Sequence, residues 1–166
     1  MSQDNSLVVF DFKKENSVAK WTVVDDGVMG GFSEGSISIN STGNGSFTGN
    51  VTTENNGGFS SVRLDKLNIN AAKFEYIMLK LKGDGKDYQF RIKENSSQRF
   101  SYISTFKTSG EWEIIKIPLY SFYPTFRGTR LNQPNFSGRA IEEIAFFIGN
   151  KKKESFALEI AYIALE

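Results

Sequence analysis

The chain has 166 residues, with 20 Lys and Arg against 19 Asp and Glu, and it contains neither histidine nor cysteine. This length is typical of a single domain, here residues 1–166 with a core over about residues 7–165. The missing cysteine excludes disulfides and thiolate chemistry, and the missing histidine excludes a Ser-His-Asp triad. What remains is carboxylate-pair, lysine or tyrosine chemistry, metal binding through oxygen, or no catalysis.

The net charge of +1 gives no electrostatic footprint for nucleic acid. No stretch approaches the ~18 apolar residues of a membrane helix, and the start of the chain resembles neither a signal nor a transit peptide. We therefore expect a cytoplasmic protein, unless a leader has been removed. The basic run Lys151-Lys152-Lys153 is interpreted as a solvated hairpin tip, with a local contact patch as the alternative.

Apolar and polar residues alternate with a period of two along most of the chain, which is typical of half-buried β-strands. In chain order, strands are predicted at residues 7–12, 20–24, 36–39, 46–52, 59–65, 74–82, 87–93, 99–106, 111–118, 143–149 and 154–165, with a helical turn at residues 119–123. The last strand places Phe156, Leu158, Ile160 and Tyr162 on one face. About ten short strands with almost no helix predict an all-β sandwich or barrel.

The segment over residues 21–33 joins a predicted strand to a glycine-rich loop. The strand begins at Trp21 and ends in Asp25 and Asp26, and the loop that follows holds Met29 among its glycines. Glycine permits positive φ and close backbone approach, and turn Asp side chains accept hydrogen bonds from loop amides. These four residues are candidate binding residues, with a structural brace as the alternative interpretation.

The segment over residues 54–63 contains Asn55, Asn56 and two glycines, and it leads into a strand that carries Arg63 beside a phenylalanine on one face. An arginine on such a face either packs against a carboxylate or opens onto a ligand. We therefore expect both asparagines, Arg63 and Asp26 to lie together, with Arg63 either paired with Asp26 or open to solvent. Neither loop has the following helix and Lys-Ser/Thr of a P-loop, so nucleotide binding is rejected.

These two segments contain Asp-Gly-Val-Met-Gly-Gly and Asn-Asn-Gly-Gly-Phe-Ser-Ser-Val-Arg, and they resemble the complex I intermediate-associated protein 30 family. Further matches follow in the family's order at residues 47–49, 83–88, 112–118, 122–128 and 156–160, so the resemblance spans about residues 9–163. The matched segments add Asp84, Tyr88 and Arg127 to the candidate binding residues.

The resemblance implies an all-β fold, a jelly-roll β-sandwich of the galactose-binding-domain-like type that is similar to family 11 carbohydrate-binding modules. The family is known for a mitochondrial assembly factor of respiratory complex I, and related domains occur in chloroplast and bacterial proteins. Because the chain shows no transit segment and no further domain, it resembles the stand-alone bacterial type. Fold alone does not determine function, so three hypotheses are considered.

The first hypothesis, implied by the resemblance, is a non-enzymatic assembly or chaperone-like module that binds a protein partner, such as a respiratory-complex subunit. Aromatic and arginine side chains dominate protein interfaces. Contact residues are therefore expected at Met29, Phe32, Phe126, Arg127 and Arg130.

The second hypothesis is a carbohydrate-binding module on the same fold. A glycan site needs flat aromatic rings with polar side chains that reach the hydroxyls. The candidates are Tyr88, Gln89, Arg91, Tyr102, Trp112, Tyr120 and Tyr123, each with ordinary packing as the alternative.

The third hypothesis is an enzyme that uses a carboxylate pair, such as Asp25 or Asp26 with Glu54 or Asp84. The resemblance implies no catalysis, so the protein is predicted not to be an enzyme. No cofactor is predicted either. A structural calcium ion, which galactose-binding-like domains often hold, is the alternative, and its oxygen ligands would come from Asp25, Asp26, Glu34 and Asn55.

Overall fold

The computed structural model describes residues 6–166, apart from the side chains of Val28, Met29 and Asn56. Two antiparallel sheets, of six and seven strands, enclose one hydrophobic core between them, and two short strands form a third sheet. This arrangement confirms the predicted all-β sandwich.

The strands follow one another along the described chain with one short helix near its start. They are β1 (Leu7–Asp11), β2 (Trp21–Asp25), β3 (Glu34–Ile39), β4 (Gly45–Val51), β5 (Ser60–Leu64), β6 (Ile69–Asn70), β7 (Tyr76–Lys82), β8 (Asp87–Lys93), β9 (Ser101–Lys107), β10 (Trp112–Pro118), β11 (Tyr123–Phe126), β12 (Thr129–Arg130), β13 (Ala140–Ile141), β14 (Glu143–Ile148) and β15 (Glu154–Leu165). The helix α1 covers Phe12–Glu15, and 3₁₀ turns cover Asp26–Met29, Glu54–Asn56 and Leu119–Ser121. Within residues 6–166, no helix is long and apolar enough to cross a membrane.

The strand order brings distant parts of the chain together. The six-stranded sheet has the order β10-β7-β15-β4-β3, with β1 paired to β15 as well, and the seven-stranded sheet has the order β12-β11-β9-β8-β14-β5-β2. Strands β6 and β13 form the two-stranded sheet. Strand β14 therefore lies between β5 and β8, although it follows both of them much later in the sequence.

Strand β8 shows how side chains are divided between the core and the outer face of the seven-stranded sheet. Tyr88, Phe90 and Ile92 are buried in the core between the sheets. Gln89 and Arg91 alternate with them and are only partly buried, because successive side chains of a strand point to opposite faces. The same alternation on β5 and β14 gives the outer face of this sheet its own row of side chains.

The structure differs from two local predictions, one about the end of the first strand and one about the segment with Lys151. The first strand was predicted to end at residue 12 and ends at Asp11 instead. The Asp11 side chain accepts hydrogen bonds from the N–H groups of Lys13 and Lys14 at 3.1 and 3.3 Å, and it thereby caps the helix α1. The segment with Lys151 is not a hairpin tip. It connects β14 in one sheet to β15 in the other, so the chain crosses the sandwich there.

The predicted face of the last strand is also interrupted. Ile160 lies opposite Leu81 and Tyr162 lies opposite Lys80, so Ala161 is an extra residue in a β-bulge. A bulge of one residue turns the following side chains to the opposite face. Ile163 therefore occupies the core position that the sequence assigned to Tyr162.

Candidate functional site

The buried carboxylate of Asp26 ties the two glycine-rich segments together. It accepts hydrogen bonds from the N–H groups of Ser33 at 2.9 Å, Gly58 at 2.7 Å and Phe59 at 3.3 Å. Burial alone would raise the pKa of Asp26, but the hydrogen bonds from Ser33, Gly58 and Phe59 outweigh it and hold the pKa below its usual value. The side chain is fully buried, and both of its carboxylate oxygens accept hydrogen bonds within the protein.

Glycines allow the backbone to approach this carboxylate. A Cβ on Gly57 would lie 2.8 Å from Asp26 Oδ2 and from the carbonyl oxygens of Thr52 and Glu54, and a Cβ on Gly31 would overlap the Asp26 carboxylate. Both glycines are needed for close packing, and Gly57 has an ordinary φ of −73°. Gly58 instead has a φ of +142°, a conformation that favours glycine.

Asp25 makes a second connection between the same segments. Its Oδ2 accepts the N–H of Gly35 at 2.9 Å, and its Oδ1 accepts a short hydrogen bond from Ser60 Oγ. We call Asp25, Asp26 and these donors the acidic clasp. The clasp joins the end of β2 to the starts of β3 and β5. Its carboxylates therefore hold the two glycine-rich loops against these strands instead of facing solvent.

The predicted group of four residues is only partly assembled by the fold. Asn55 is exposed in the 3₁₀ turn beside the clasp with a φ of +52°, while the side chains of Asn56 and Met29 are outside the described part of the structure. Arg63 forms no ion pair with Asp26. It points instead to the outer face of the seven-stranded sheet.

Three other candidate residues have structural surroundings. Trp21 is buried, with its ring 5.4 Å from that of Phe10 and stacked 5.5 Å from that of Phe12. The hydroxyl of Tyr88 donates to Asp84 at 2.9 Å, and the other oxygen of Asp84 accepts the N–H of Ala157 at 2.8 Å. Burial, together with the nearby Asp84 charge, raises the pKa of Tyr88. These contacts brace β8 against β15.

A groove of about 650 Å³ crosses the outer face of the seven-stranded sheet. We call it the sheet groove. Its walls come from the loop before β5, from strands β5, β14, β8, β9 and β11, and from the β11–β12 turn. Its lining includes Phe59, Ser61, Arg63, Gln89, Arg91, Lys93, Arg99, Ser101, Thr125, Phe126, Arg127, Glu143, Ala145, Phe147 and Lys151.

Two arginines flank a small residue in the middle of the groove. Ala145 on β14 lies opposite Arg63 on β5 and opposite Arg91 on β8, so the three side chains form one row across the sheet. Residues that are directly opposite in a sheet share a face. The methyl group of Ala145 fills little of the space above this row.

Arg91 is held in a defined position. Its Nε and Nη2 donate to Gln89 Oε1 at 3.0 and 2.8 Å, and its guanidinium lies 3.6 Å from the centre of the Phe147 ring. Burial and the positive charge of Arg63 lower the pKa of Arg91 to about 10. Its hydrogen-bond partner is a neutral amide, so the charge of Arg91 is not compensated by that contact.

The charge of the groove is one-sided. Six cationic side chains line it: Arg63, Arg91, Lys93, Arg99, Arg127 and Lys151. The single carboxylate among its described lining residues is Glu143, 4.0 Å from Lys93 Nζ. Burial lowers the pKa of Lys93, Glu143 opposes that shift, and Arg63 and Arg91 add to it. Lys93 also donates to the Gln98 carbonyl at 3.1 Å.

The aromatic rings of the groove are already covered. Phe59 stacks on Phe147 with ring centres 5.2 Å apart. The guanidinium of Arg91 covers the Phe147 ring from the direction of Ala145. Phe59 contacts the Phe147 ring from the direction of Gly149, toward the other end of β14. The guanidinium of Arg127 lies 5.3 Å from the centre of the Phe126 ring. The described groove therefore offers few flat ring surfaces.

Of the tyrosines and the tryptophan predicted for a glycan, Tyr123 shares the outer face of the seven-stranded sheet with Arg91, and the others lie elsewhere. Tyr88 and Tyr102 face the core, and Trp112 is at the edge of the other sheet. Tyr120 is 74% exposed in a 3₁₀ turn, and Tyr123 lies under the guanidinium of Arg130 at 4.5 Å. Among the interface candidates, Phe126 and Arg127 line the groove, while Phe32 is exposed elsewhere.

The acidic clasp does not fit a calcium ion. Calcium needs six to eight oxygen ligands with free lone pairs, whereas the oxygens of Asp25 and Asp26 accept hydrogen bonds from N–H and O–H groups. Glu34 and Asn55 are exposed, and no group of three or more acidic side chains in residues 6–166 is arranged to hold a metal. That the protein needs no cofactor stays a prediction.

The sequence did not indicate Ala145, Phe147, Lys93 or Arg99 as site residues. The alternation of apolar and polar residues over β8 placed Arg91 and Lys93 on one face, and this alternation was the feature of the sequence that pointed to a shared surface. The register that sets β14 between β5 and β8 cannot be read from a local pattern, so the row across the sheet was not predictable.

Two packed antiparallel sheets with a groove across one of them define a β-sandwich domain. The fold is similar to the family 11 carbohydrate-binding module of the cellulosomal cellulase Lic26A-Cel5E of Clostridium thermocellum, with a TM-score of 0.71 and 20% identity over 99% of this chain and 95% of that one. The agarase AgWH50C gives a TM-score of 0.64 at 12% identity over 98% of this chain and 25% of that one. At these identities the likeness establishes the fold.

The chain belongs to the family described as Complex I intermediate-associated protein 30 (CIA30), whose profile matches residues 10–160. It is 24% identical to the mitochondrial Complex I intermediate-associated protein 30 of Drosophila melanogaster over 96% of this chain and 62% of that protein. The mouse (Mus musculus) protein of that name is 23% identical over 98% of this chain and 56% of its own length. The chain thus spans little more than half the length of these relatives.

Proposed function

We propose that the protein is a non-enzymatic binding module that holds a segment of a protein partner in the sheet groove, in the manner of an assembly factor. The observation that carries the proposal is the groove itself, an open site in whose described lining six cationic side chains face a single carboxylate. Membership of the CIA30 family supports a protein partner, because its relatives are named for an intermediate of complex I.

The carboxylates support a binding role over catalysis. Asp25 and Asp26 are used in the clasp, and Asp84 is held by Tyr88 and Ala157. A catalytic carboxylate pair must reach a substrate from two sides of a cleft. The sheet groove has one carboxylate in its described lining, so the pair that such hydrolysis requires is not assembled there.

A carbohydrate-binding role is the second candidate. Its support is the likeness of the fold to a family 11 module from Clostridium thermocellum that was solved in complex with a β-1,3-1,4-mixed-linked tetrasaccharide, at a TM-score of 0.70. Gln89, Ser101 and Thr125 supply polar groups to the groove. Against this role, the ring of Phe147 is covered by Phe59 and Arg91, so stacking on a sugar ring is obstructed.

Site-specific crosslinking tests the proposal. Phe126 lines the groove and is replaced by p-benzoylphenylalanine, which conserves the aromatic ring, and the protein is irradiated in cells of its source organism. The matched control carries the same group at Tyr120, which is exposed and outside the groove. A protein captured at position 126 is identified, purified and titrated against the wild type and Arg63→Ala.

The proposal expects capture at position 126 but not at position 120, and weaker binding by Arg63→Ala. Equal capture at both positions would contradict a groove site. If no protein is captured and a panel of neutral glucans binds with a dependence on Gln89, the carbohydrate-binding role replaces the proposal.

A further inference from the structure

We infer that the segment held in the sheet groove is acidic, and that one of its carboxylates binds between Arg63 and Arg91 above Ala145. This inference rests on the proposed function and specifies the chemistry of the partner. It is carried by three features of the groove: the spacing of the two arginines, their lack of an acidic partner, and the fixed orientation of Arg91.

The spacing suits one carboxylate. Arg63 and Arg91 are on strands separated by β14, and neighbouring strands are about 4.8 Å apart, so their backbones are roughly 10 Å apart. Both side chains rise from the same row, and Ala145 between them contributes only a methyl group. A carboxylate in this gap is within reach of both guanidinium groups, which bind carboxylates through paired N–H donors.

The donors for such a contact are free. Within the described part of the chain, Arg63 forms no hydrogen bond or ion pair. Arg91 has five N–H donors and uses two of them on Gln89, which leaves three for a ligand. Two like charges facing each other in a partly buried row destabilise the free protein, and an anion between them removes that repulsion.

The orientation of Arg91 is set before any ligand arrives. Phe147 supports the plane of the guanidinium, and Gln89 fixes its Nε edge. A side chain that is already ordered loses less entropy when it binds, so a contact to Arg91 is stronger than one to a free surface arginine.

The neighbouring row offers a second position for an acidic side chain. Lys93 is two residues after Arg91 on β8, and its ammonium group lies 4.0 Å from Glu143 and donates to the Gln98 carbonyl. Arg99 also lines the groove and has no acidic partner in the described structure. Two residues along a strand cover about 6.8 Å, which is also the distance between alternate side chains of an extended peptide. An extended segment with acidic residues at every second position therefore has the same spacing as the Arg91 and Lys93 rows, and Arg99 is the cation of the second row that Glu143 does not pair with.

Three defined probes test the inference. They are a nonapeptide of alternating Ser and Glu with blocked ends, the same peptide with Gln in place of Glu, and a galacturonic acid oligomer of similar length. Affinities are measured by calorimetry at low and high salt for the wild type, Arg63→Gln, Arg63→Lys and Arg139→Gln. Arg139 is an exposed arginine outside the groove and is the matched control.

The Glu peptide should bind at least about tenfold more tightly than the Gln peptide, with weaker binding at high salt. Arg63→Gln should reduce this affinity about tenfold and Arg63→Lys by less, because lysine keeps the charge but loses the paired donors. Arg139→Gln should bind like the wild type. Arg63 makes no contact that the fold depends on, so its variants report on binding.

Different failures have different meanings. Equal affinity for the Glu and Gln peptides would overturn the acidic segment while leaving peptide binding in the groove intact. Binding of the galacturonic acid oligomer through Arg63, without binding of the Glu peptide, would overturn the polypeptide partner. If neither peptide binds, the inference is wrong, and crosslinking at position 126 decides separately whether the groove holds a protein.

Discussion

The carboxylate of Asp26 accepts the N–H of Gly58 at 2.7 Å, although the two residues are 32 positions apart in the sequence. This hydrogen bond and those from Ser33 and Phe59 join the two most recognisable segments of the chain below its surface. The clasp and the groove share strand β5, because Ser60 contacts Asp25 while Arg63 faces the groove. The clasp and the groove therefore use different residues of the same strand.

Replacing Asp26 with asparagine should destabilise the protein by about 2–3 kcal/mol. The substitution keeps the shape of the side chain but places an NH₂ group among backbone N–H donors, so at least one buried donor loses its acceptor. The free energy of unfolding is measured by urea denaturation. Asp65→Asn, an exposed position, is the control and should change stability little. A variant of Asp26 as stable as the wild type would contradict the clasp.

The contribution of Asp26 should depend on pH in a defined direction. Its folded pKa is lower than that of an unfolded Asp, about 3.9. A group with a lowered folded pKa stabilises the protein above its unfolded pKa and loses this effect as the pH falls through its folded pKa. The difference in Tm between the wild type and Asp26→Asn should therefore be constant above about pH 5 and shrink below pH 4. A difference that grows in acid would contradict this assignment.

Gly57→Ala should destabilise the protein by about 1–3 kcal/mol, because the new methyl group would lie 2.8 Å from three oxygen atoms around the clasp. Gly27 is in the same pair of loops, but a Cβ there has no neighbour within 4 Å. Gly27→Ala is thus the matched control and should stay within about 0.5 kcal/mol of the wild type. Thermal unfolding of the two variants distinguishes close packing from a general intolerance of the loop.

Arg63→Gln should leave the stability unchanged or raise it by up to about 1 kcal/mol. The side chain has no partner in the described structure, and its charge disfavours the charged form of Arg91. Arg91→Gln should instead destabilise the protein, since it removes the contact with Phe147 and two hydrogen bonds. If Arg63→Gln costs more than about 1 kcal/mol, Arg63 has a structural role that its surroundings do not reveal.

The alternation of side chains could be predicted from the sequence because it is local. Strand β8 follows the predicted alternation over its whole length, with Phe90 in the core and Arg91 outside. The bulge at Ala161 could not be predicted, because it depends on how β15 pairs with β7. The capping of α1 by Asp11 was also missed, since a four-residue helix leaves no periodic pattern.

The candidate site was predictable only in parts. The glycine-rich segments were found because their composition is unusual, and Arg63 was found because it ends one of them. Of its two expected arrangements, pairing with Asp26 is absent, because backbone amides already satisfy that carboxylate, and Arg63 faces the groove instead. Arg63 and Arg91 lie in one row because β14 pairs with both β5 and β8. This pairing joins segments that are far apart in the sequence, so no local motif predicts it.

The acidic clasp has a consequence for how members of this family are compared. Its residues close on one another inside the fold, so a shared clasp signifies shared architecture and says nothing about cargo. Two proteins with the same clasp are free to differ at positions 63, 91 and 145. If the proposed groove site is correct, sorting relatives by the charge and size of those three positions, instead of by overall identity, would group them by the ligand that the groove binds.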